Sequence, residues 1–190
     1  PDAPCVLLVS TAWPRDEEPP IQFGGDLRRM VLGPLDERET MRLAHALLSA
    51  LGAPASEATV STIVRESAGH PMFVAELVRH TALRGDAGIT GEEIRLDDVL
   101  AERIDSLAAA ERQLLELVAI AGQPLPIEVA GRALGVTPGA LLPLVGYLQS
   151  ANLLRATGRA RRDSVEPFHD RTRRTVTARA AERKPDLHRK

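Results

Sequence analysis

Few residues in this 190-residue chain have the types and spacing that chemistry requires. The five histidines stand at positions 45, 70, 80, 169 and 188, with none at the i, i+4 spacing that puts two ligands on one helix face. A single cysteine, Cys5, excludes an intrachain disulfide and any multi-cysteine metal site. There is no G-x-x-x-x-G-K-[ST] loop, no kinase catalytic loop, no G-x-S-x-G and no H-E-x-x-H. No catalytic centre is expected in the chain itself. Four weaker signals remain, in fixed order. They are Val6–Ser10 running into Thr11-Ala12-Trp13-Pro14-Arg15-Asp16-Glu17, then Gly33-Pro34-Leu35 before an acidic helix start, then Gly69-His70-Pro71-Met72-Phe73-Val74-Ala75-Glu76-Leu77, and finally Phe168-His169-Asp170-Arg171.

The elements that must hold these signals follow from periodicity and punctuation. Cys5–Ser10 is a short, continuous apolar run, the pattern of a strand buried on both faces, and a second strand is expected near Arg28–Leu32. Because such a strand needs neighbours, and because the chain begins at Pro1 without Met, the sequence reads as part of something longer. Asp36 and Glu39 form a capping box that opens a helix carrying Met41, Ala44, Leu47, Leu48 and Leu51, closed by Gly52. A helix after Ser56 stops at Gly69, and Pro71, suited to a first helical turn, begins the next. Leu96, Val99, Leu100, Ile104 and Leu107 mark an amphipathic helix. Residues 111–121 are apolar nearly all round, so deep burial is expected there, with 36–121 forming one helical bundle. Beyond Pro126 come a helix over Ile127–Leu134, the turn Gly135-Val136, and a helix capped by Thr137 with Pro138 in its first turn. Two short strands, Leu153–Ala156 and Val165–Phe168, and a last helix over about His169–Arg183 complete the pattern of a winged helix.

Taken in order, the four signals resemble the C-terminal part of the STAND class of P-loop ATPases. The likeness is greatest to bacterial members found behind a Ser/Thr protein kinase domain and before tetratricopeptide repeats. That family has a strand ending in T-Y-R-x-x-E, a helical domain carrying G-N-P-F-F-V-x-E-L, and a winged helix ending in Y-H-D-R-[IV]-R-E-x-V. The corresponding stretches here are Ala12–Glu17, Gly69–Leu77 and Phe168–Val176. Three positions depart from the pattern: Pro14 sets Arg15 one residue late, His70 replaces Asn, and Thr172 replaces an apolar residue.

The resemblance implies a mainly α fold: a helical lid bundle followed by a winged helix, with one or two remnant strands of an upstream α/β P-loop domain at the N-terminus. The implied domains are 1–35, the end of that nucleotide-binding domain; 36–121, the lid; 122–183, the winged helix; and 184–190, the start of a following segment. It implies an ATP/ADP site completed by the upstream P-loop domain, with Mg in the parent protein. Gly69 and Pro71 would lie near the nucleotide, where helix N–H groups and the helix dipole favour anions. Arg15 would sense the terminal phosphate. His169 would contact the β-phosphate of ADP, and Asp170 would orient that segment. The implied partners are the P-loop domain and effector or repeat domains of the same parent chain, in the cytoplasm.

Charge bears on the alternatives. The chain carries a formal net charge of −2, yet residues 151–190 hold 12 Arg/Lys against 5 Asp/Glu. A winged helix with Arg159, Arg161 and Arg162 in its wing invites a DNA-binding reading, that of a transcriptional regulator. The second helix of the motif, Pro138–Ser150, contains no Lys or Arg to read base edges or phosphates, so nucleic acid is not the expected partner. A protein-interaction scaffold is the third reading. No apolar run approaches the ~20 residues of a membrane span, and no membrane association is expected.

Overall fold

A computed structural model describes residues 7, 9, 28, 30–84, 94–157 and 164–183. The chain divides into two units, Pro1–Gly33 and Pro34–Lys190, and every helix and strand among the described residues lies in the second. In place of the expected strands, Leu7, Val9, Arg28 and residues 30–36 carry no regular structure. A strand persists only where a neighbour takes up its backbone hydrogen bonds, and no strand pairs with these residues among those described. The remainder of both expected strands, and the 184–190 segment, lie outside the described residues.

The second unit is mainly helical. Helix α1 (Glu37–Ala50) starts on the expected capping box: the Asp36 carboxylate accepts from Glu39 N–H at 2.7 Å, and Glu39 accepts from Asp36 N–H at 3.1 Å. Helix α2 (Glu57–Ser67) is capped by the Ser56 hydroxyl, which accepts from Thr59 N–H. Helix α3 (Pro71–Arg84) begins at its proline. The inward faces of these three helices and the first half of α4 (Leu96–Asp105) build one core around Leu48, Ile63, Phe73, Leu77 and Leu96. Burial of each such side chain contributes about 1.5–3 kcal/mol.

A second core begins within α4 itself, at Ile104, and gathers α5 (Ala109–Ala121), α6 (Ile127–Leu134), α7 (Pro138–Ser150) and α8 (Asp170–Arg183). Helix α5, grouped by patterning with the first bundle, buries Leu114, Leu115 and Val118 here, and its Ile120 is 54% exposed, so the helix is sided and not immersed. Helices α6 and α7 meet at a 108° bend over the left-handed Gly135. Thr137 and Pro138 start α7 as expected. A hairpin of β2 (Leu154–Thr157) and β3 (Ser164–Pro167) follows, and β3 also pairs antiparallel with β1 (Leu125–Pro126), giving the order β1-β3-β2. The strand β1 is additional to the sequence expectation. No single helix among the described residues is long and apolar enough to cross a membrane.

Candidate functional site

The α2–α3 turn is built around two consecutive residues in left-handed backbone conformation, Ala68 (φ 48°) and Gly69 (φ 75°). The Gly69 carbonyl accepts from Leu35 N–H at 2.8 Å, which fastens the chain entering α1 to the turn. A Cβ at Gly69 would lie 2.3 Å from the Leu35 carbonyl oxygen, so glycine is required both by φ and by space. Beside Gly69, on the α1–α2 side, a groove of about 710 Å³ is lined by Leu35, Met41, His45, Val60, Val64 and Arg65.

His70 closes the turn by donating its N–H to Ser67 O at 3.0 Å, and its own carbonyl takes the Phe73 and Val74 N–H groups at 2.9 and 3.1 Å. Pro71 has no N–H to offer. The Met72 N–H therefore remains at the helix start without an acceptor among the described residues. It is a donor at the positive end of a 14-residue helix.

His169 arrives at this helix start from the far end of the fold. The strand β3 leads to it, and the Phe168 N–H donates to Leu153 O at 2.9 Å, which fixes the chain just before the histidine. The His169 ring stands edge-to-face against Phe73, centroids 4.8 Å apart, and against His70 at 5.1 Å, while His70 and Phe73 are 5.6 Å apart. Such T-shaped packing sets the ring orientation as well as its position. Arg171 N–H donates to His169 Nδ1 at 3.0 Å. In the neutral ring that bond leaves the proton on Nε2, as a donor. Burial holds the His169 pKa below the ordinary 6.5; neighbouring His70, Arg174 and Arg171 push the same way, and Asp170 opposes them. At neutral pH this is a neutral imidazole presenting one N–H.

Of the residues singled out by sequence, His169 stands against His70 and Phe73, which flank Pro71, and Gly69 forms the turn before α3. Arg15 lies outside the described residues. Asp170 makes its hydrogen bond and ion pairs on its own helix: its carboxylate, largely exposed, accepts from Arg173 at 2.7 Å and pairs with Arg174 at 3.3 Å, and it acts on His169 through its charge. The Arg173 hydrogen bond holds its pKa below the usual 3.8.

Two residues passed over by the sequence reasoning matter here. Glu76, inside the Gly69–Leu77 motif, is 7% exposed and accepts from Arg79 on α3 and from Arg103 on α4. A glutamate amid an apolar helix face was the available signal. Arg171 spans three elements: Nε donates to Asp97 Oδ1 at 2.9 Å, one terminal nitrogen donates to the Glu66 carbonyl at 3.3 Å, and the other lies 3.9 Å from the Glu66 carboxylate. That carboxylate also takes the Leu96 N–H at 3.0 Å, capping α4. No spacing rule reaches across the 74 and 105 residues involved.

Among the described residues no group of three or more His, Cys, Asp or Glu is arranged to hold a metal ion. No protein-family model matches the chain, and a search of curated proteins returns no match.

Proposed function

We propose that this chain is the lid and winged-helix half of an ATP/ADP-dependent signalling switch of the STAND type, one that acts with an upstream P-loop domain in the cytoplasm. The observation that carries the reading is the meeting of His169 with the start of α3. Two segments 99 positions apart, each singled out by resemblance to that family, converge within 5.1 Å. The helix start offers the Met72 N–H and His169 offers its Nε2–H, donors of the kind that an anionic phosphate oxygen would accept. Gly69 and the adjoining groove, where Met41, Val60 and Val64 stand beside His45 and Arg65, would take the base. The order α5-β1-α6-α7-β2-β3, with sheet order β1-β3-β2, supports the winged-helix part of the proposal.

Chemistry at the nucleotide belongs, in this reading, to the absent half. This chain supplies binding and readout: His169 stays while a diphosphate accepts its N–H, and exchange for a triphosphate shifts the population by differing contacts. Each charge-assisted hydrogen bond contributes about 1.5–3 kcal/mol, against an association cost of at least ~4 kcal/mol. Two contacts barely offset that cost, so the chain by itself should bind ADP no better than about millimolar and hydrolyse no ATP. The DNA-binding reading gains nothing from the fold, because the outward face of α7 presents Leu142 and Tyr147, 42% and 50% exposed, and no cation.

The test is to read the coding frame upstream of Pro1. A G-x-x-x-x-G-K-[ST] loop followed by an acidic strand end supports the proposal. A frame that extends through a full domain without one, or starts immediately before Pro1, overturns it.

A further inference from the structure

We propose that Arg171 is the positioning residue of this site: its main chain sets the His169 ring, and its side chain ties that ring to the end of α2 and the start of α4. The geometry comes from three directions. First, the Arg171 N–H is the group that holds His169 Nδ1, at 3.0 Å. Second, its guanidinium reaches the Glu66 carbonyl at 3.3 Å, one of the last carbonyls of α2, only two residues before the Ala68-Gly69 turn that begins α3. A cation there complements the negative end of the α2 dipole. Third, its Nε meets Asp97 Oδ1 at 2.9 Å in the first turn of α4, whose Leu96 N–H is capped by the same Glu66.

A planar guanidinium can serve both Asp97 Oδ1 and the Glu66 carbonyl at once because its donors point along fixed, diverging directions, which a compact ammonium matches less well. The arrangement couples two things that would otherwise be separate, namely where α3 begins and where His169 stands. Phe73 and His70 hold the His169 ring by non-bonded edge-to-face contacts, which fix its position less firmly than a hydrogen-bonded ion pair. Arg171 adds to that hold by bracing α8 against the two helices that flank α3 in sequence. Asp97 is half exposed, so the contact is open to competition by water and salt, and the brace is one that can be released. A change that pulls His169 from the helix start therefore also strains the Glu66–Asp97 seat, and a change at that seat frees His169.

The inference rests on the proposed function for the identity of the ligand only, and its test contains no nucleotide. In the full chain, NMR would follow the His169–Phe73 ring NOE and the titration of His169, with His80 as an internal control. His80 also titrates below 6.5, chiefly through burial, but its charged neighbours are Glu102, Arg84, Glu76 and Arg79 and not the Arg171 seat. The groups facing His169 are His70, Asp170, Arg174 and Arg171.

Arg171→Met, which keeps the length of the stem, is expected to abolish the His169–Phe73 NOE and move the His169 titration up toward 6.5 while His80 holds its value. Arg171→Lys is expected to restore only part of the NOE, because one ammonium does not reproduce the fork that holds Asp97 and the Glu66 carbonyl together. Asp97→Asn, a half-exposed substitution that leaves both cores untouched, should move His169 in the same direction by less. It decides the matter if Arg171→Met fails to fold. An unchanged NOE and titration in Asp97→Asn and in a folded Arg171→Met would overturn the proposal. So would His80 shifting as much as His169, since that signals general loosening. Failure of ADP to bind would leave these results as they are and would bear on the ligand instead.

Discussion

Adjacent residues in the α2–α3 turn should respond to the same kind of substitution with opposite sign. Ala68 and Gly69 both have left-handed backbone, φ 48° and 75°. For an L-residue with a Cβ that conformation costs about 1–2 kcal/mol. Replacing Ala68 by Gly removes the strain but returns about 0.4–1 kcal/mol of unfolded-chain entropy. The net expectation is stabilisation by about 0.5–1 kcal/mol. Gly69→Ala adds the same strain and places a Cβ 2.3 Å from the Leu35 carbonyl oxygen, a backbone atom with no rotamer to yield. Residues 34–35 must then move, losing the Leu35 N–H to Gly69 O bond, so the total cost is about 2–3 kcal/mol. Urea unfolding with circular dichroism reads both as shifts in midpoint at unchanged slope. Amide spectra should show the Gly69→Ala disturbance concentrated at Leu35, His70 and Met72. A neutral Gly69→Ala, or a destabilising Ala68→Gly, would refute the account of how this turn sets the start of α3.

Other consequences can be checked with the same chain. Thr172 is fully buried with no hydrogen-bond partner for its hydroxyl among the described residues, and Val has nearly its shape, so Thr172→Val should stabilise by about 1 kcal/mol; a loss on urea unfolding would reveal a partner for that oxygen. Glu76→Ala strands Arg103 between α3 and α4 and should cost about 2–3 kcal/mol, below the full buried-pair penalty because Arg103 keeps some exposure, with a fall in thermal midpoint as the readout. His169 and His80 both have pKa values lowered by burial, so the unfolded chain binds more protons around pH 6.5. Stability is therefore full above that pH and falls on acidification until the folded values are passed. Urea unfolding at several pH values should show His169→Gln flattening part of that slope. The carboxylates Asp105 and Asp170, lowered by their arginine partners, act in a separate window: their contribution is present above the usual 3.8 and is lost as pH falls below it.

What could be read from the sequence was what is local. The Asp36–Glu39 box, the helix start after Ser56, Pro71 at a helix start, and the Gly135-Val136-Thr137-Pro138 turn are decided by residues close in sequence, and each forms as expected. The helix faces were legible because burial imposes a 3.6-residue period. The strand β1 was not, being two residues long and existing only through pairing with Val165 and Ser164, some forty positions away. The same holds for α5, whose apolar content gave no sign of which core it would join. At the site, Gly69, Pro71 and His169 were picked out one by one, yet nothing in their spacing said that His169 would stand against Phe73. Arg171 was quoted in a motif without a role, because its acceptors sit on α2 and α4, remote in sequence. Patterning overstated regular structure at Arg28 and residues 30–32 for a related reason: a short apolar run reads as a strand whether or not a partner strand pairs with it, and none does among the described residues.

The most direct measurement is an NMR titration of this chain with ADP, following the Met72 amide and the His169 imidazole together. The account predicts that both move with one dissociation constant of about a millimolar, and that His169→Ala abolishes the Met72 response. Shifts confined to other residues at ADP concentrations well above that value would contradict it, as would submicromolar binding, which two donors cannot supply.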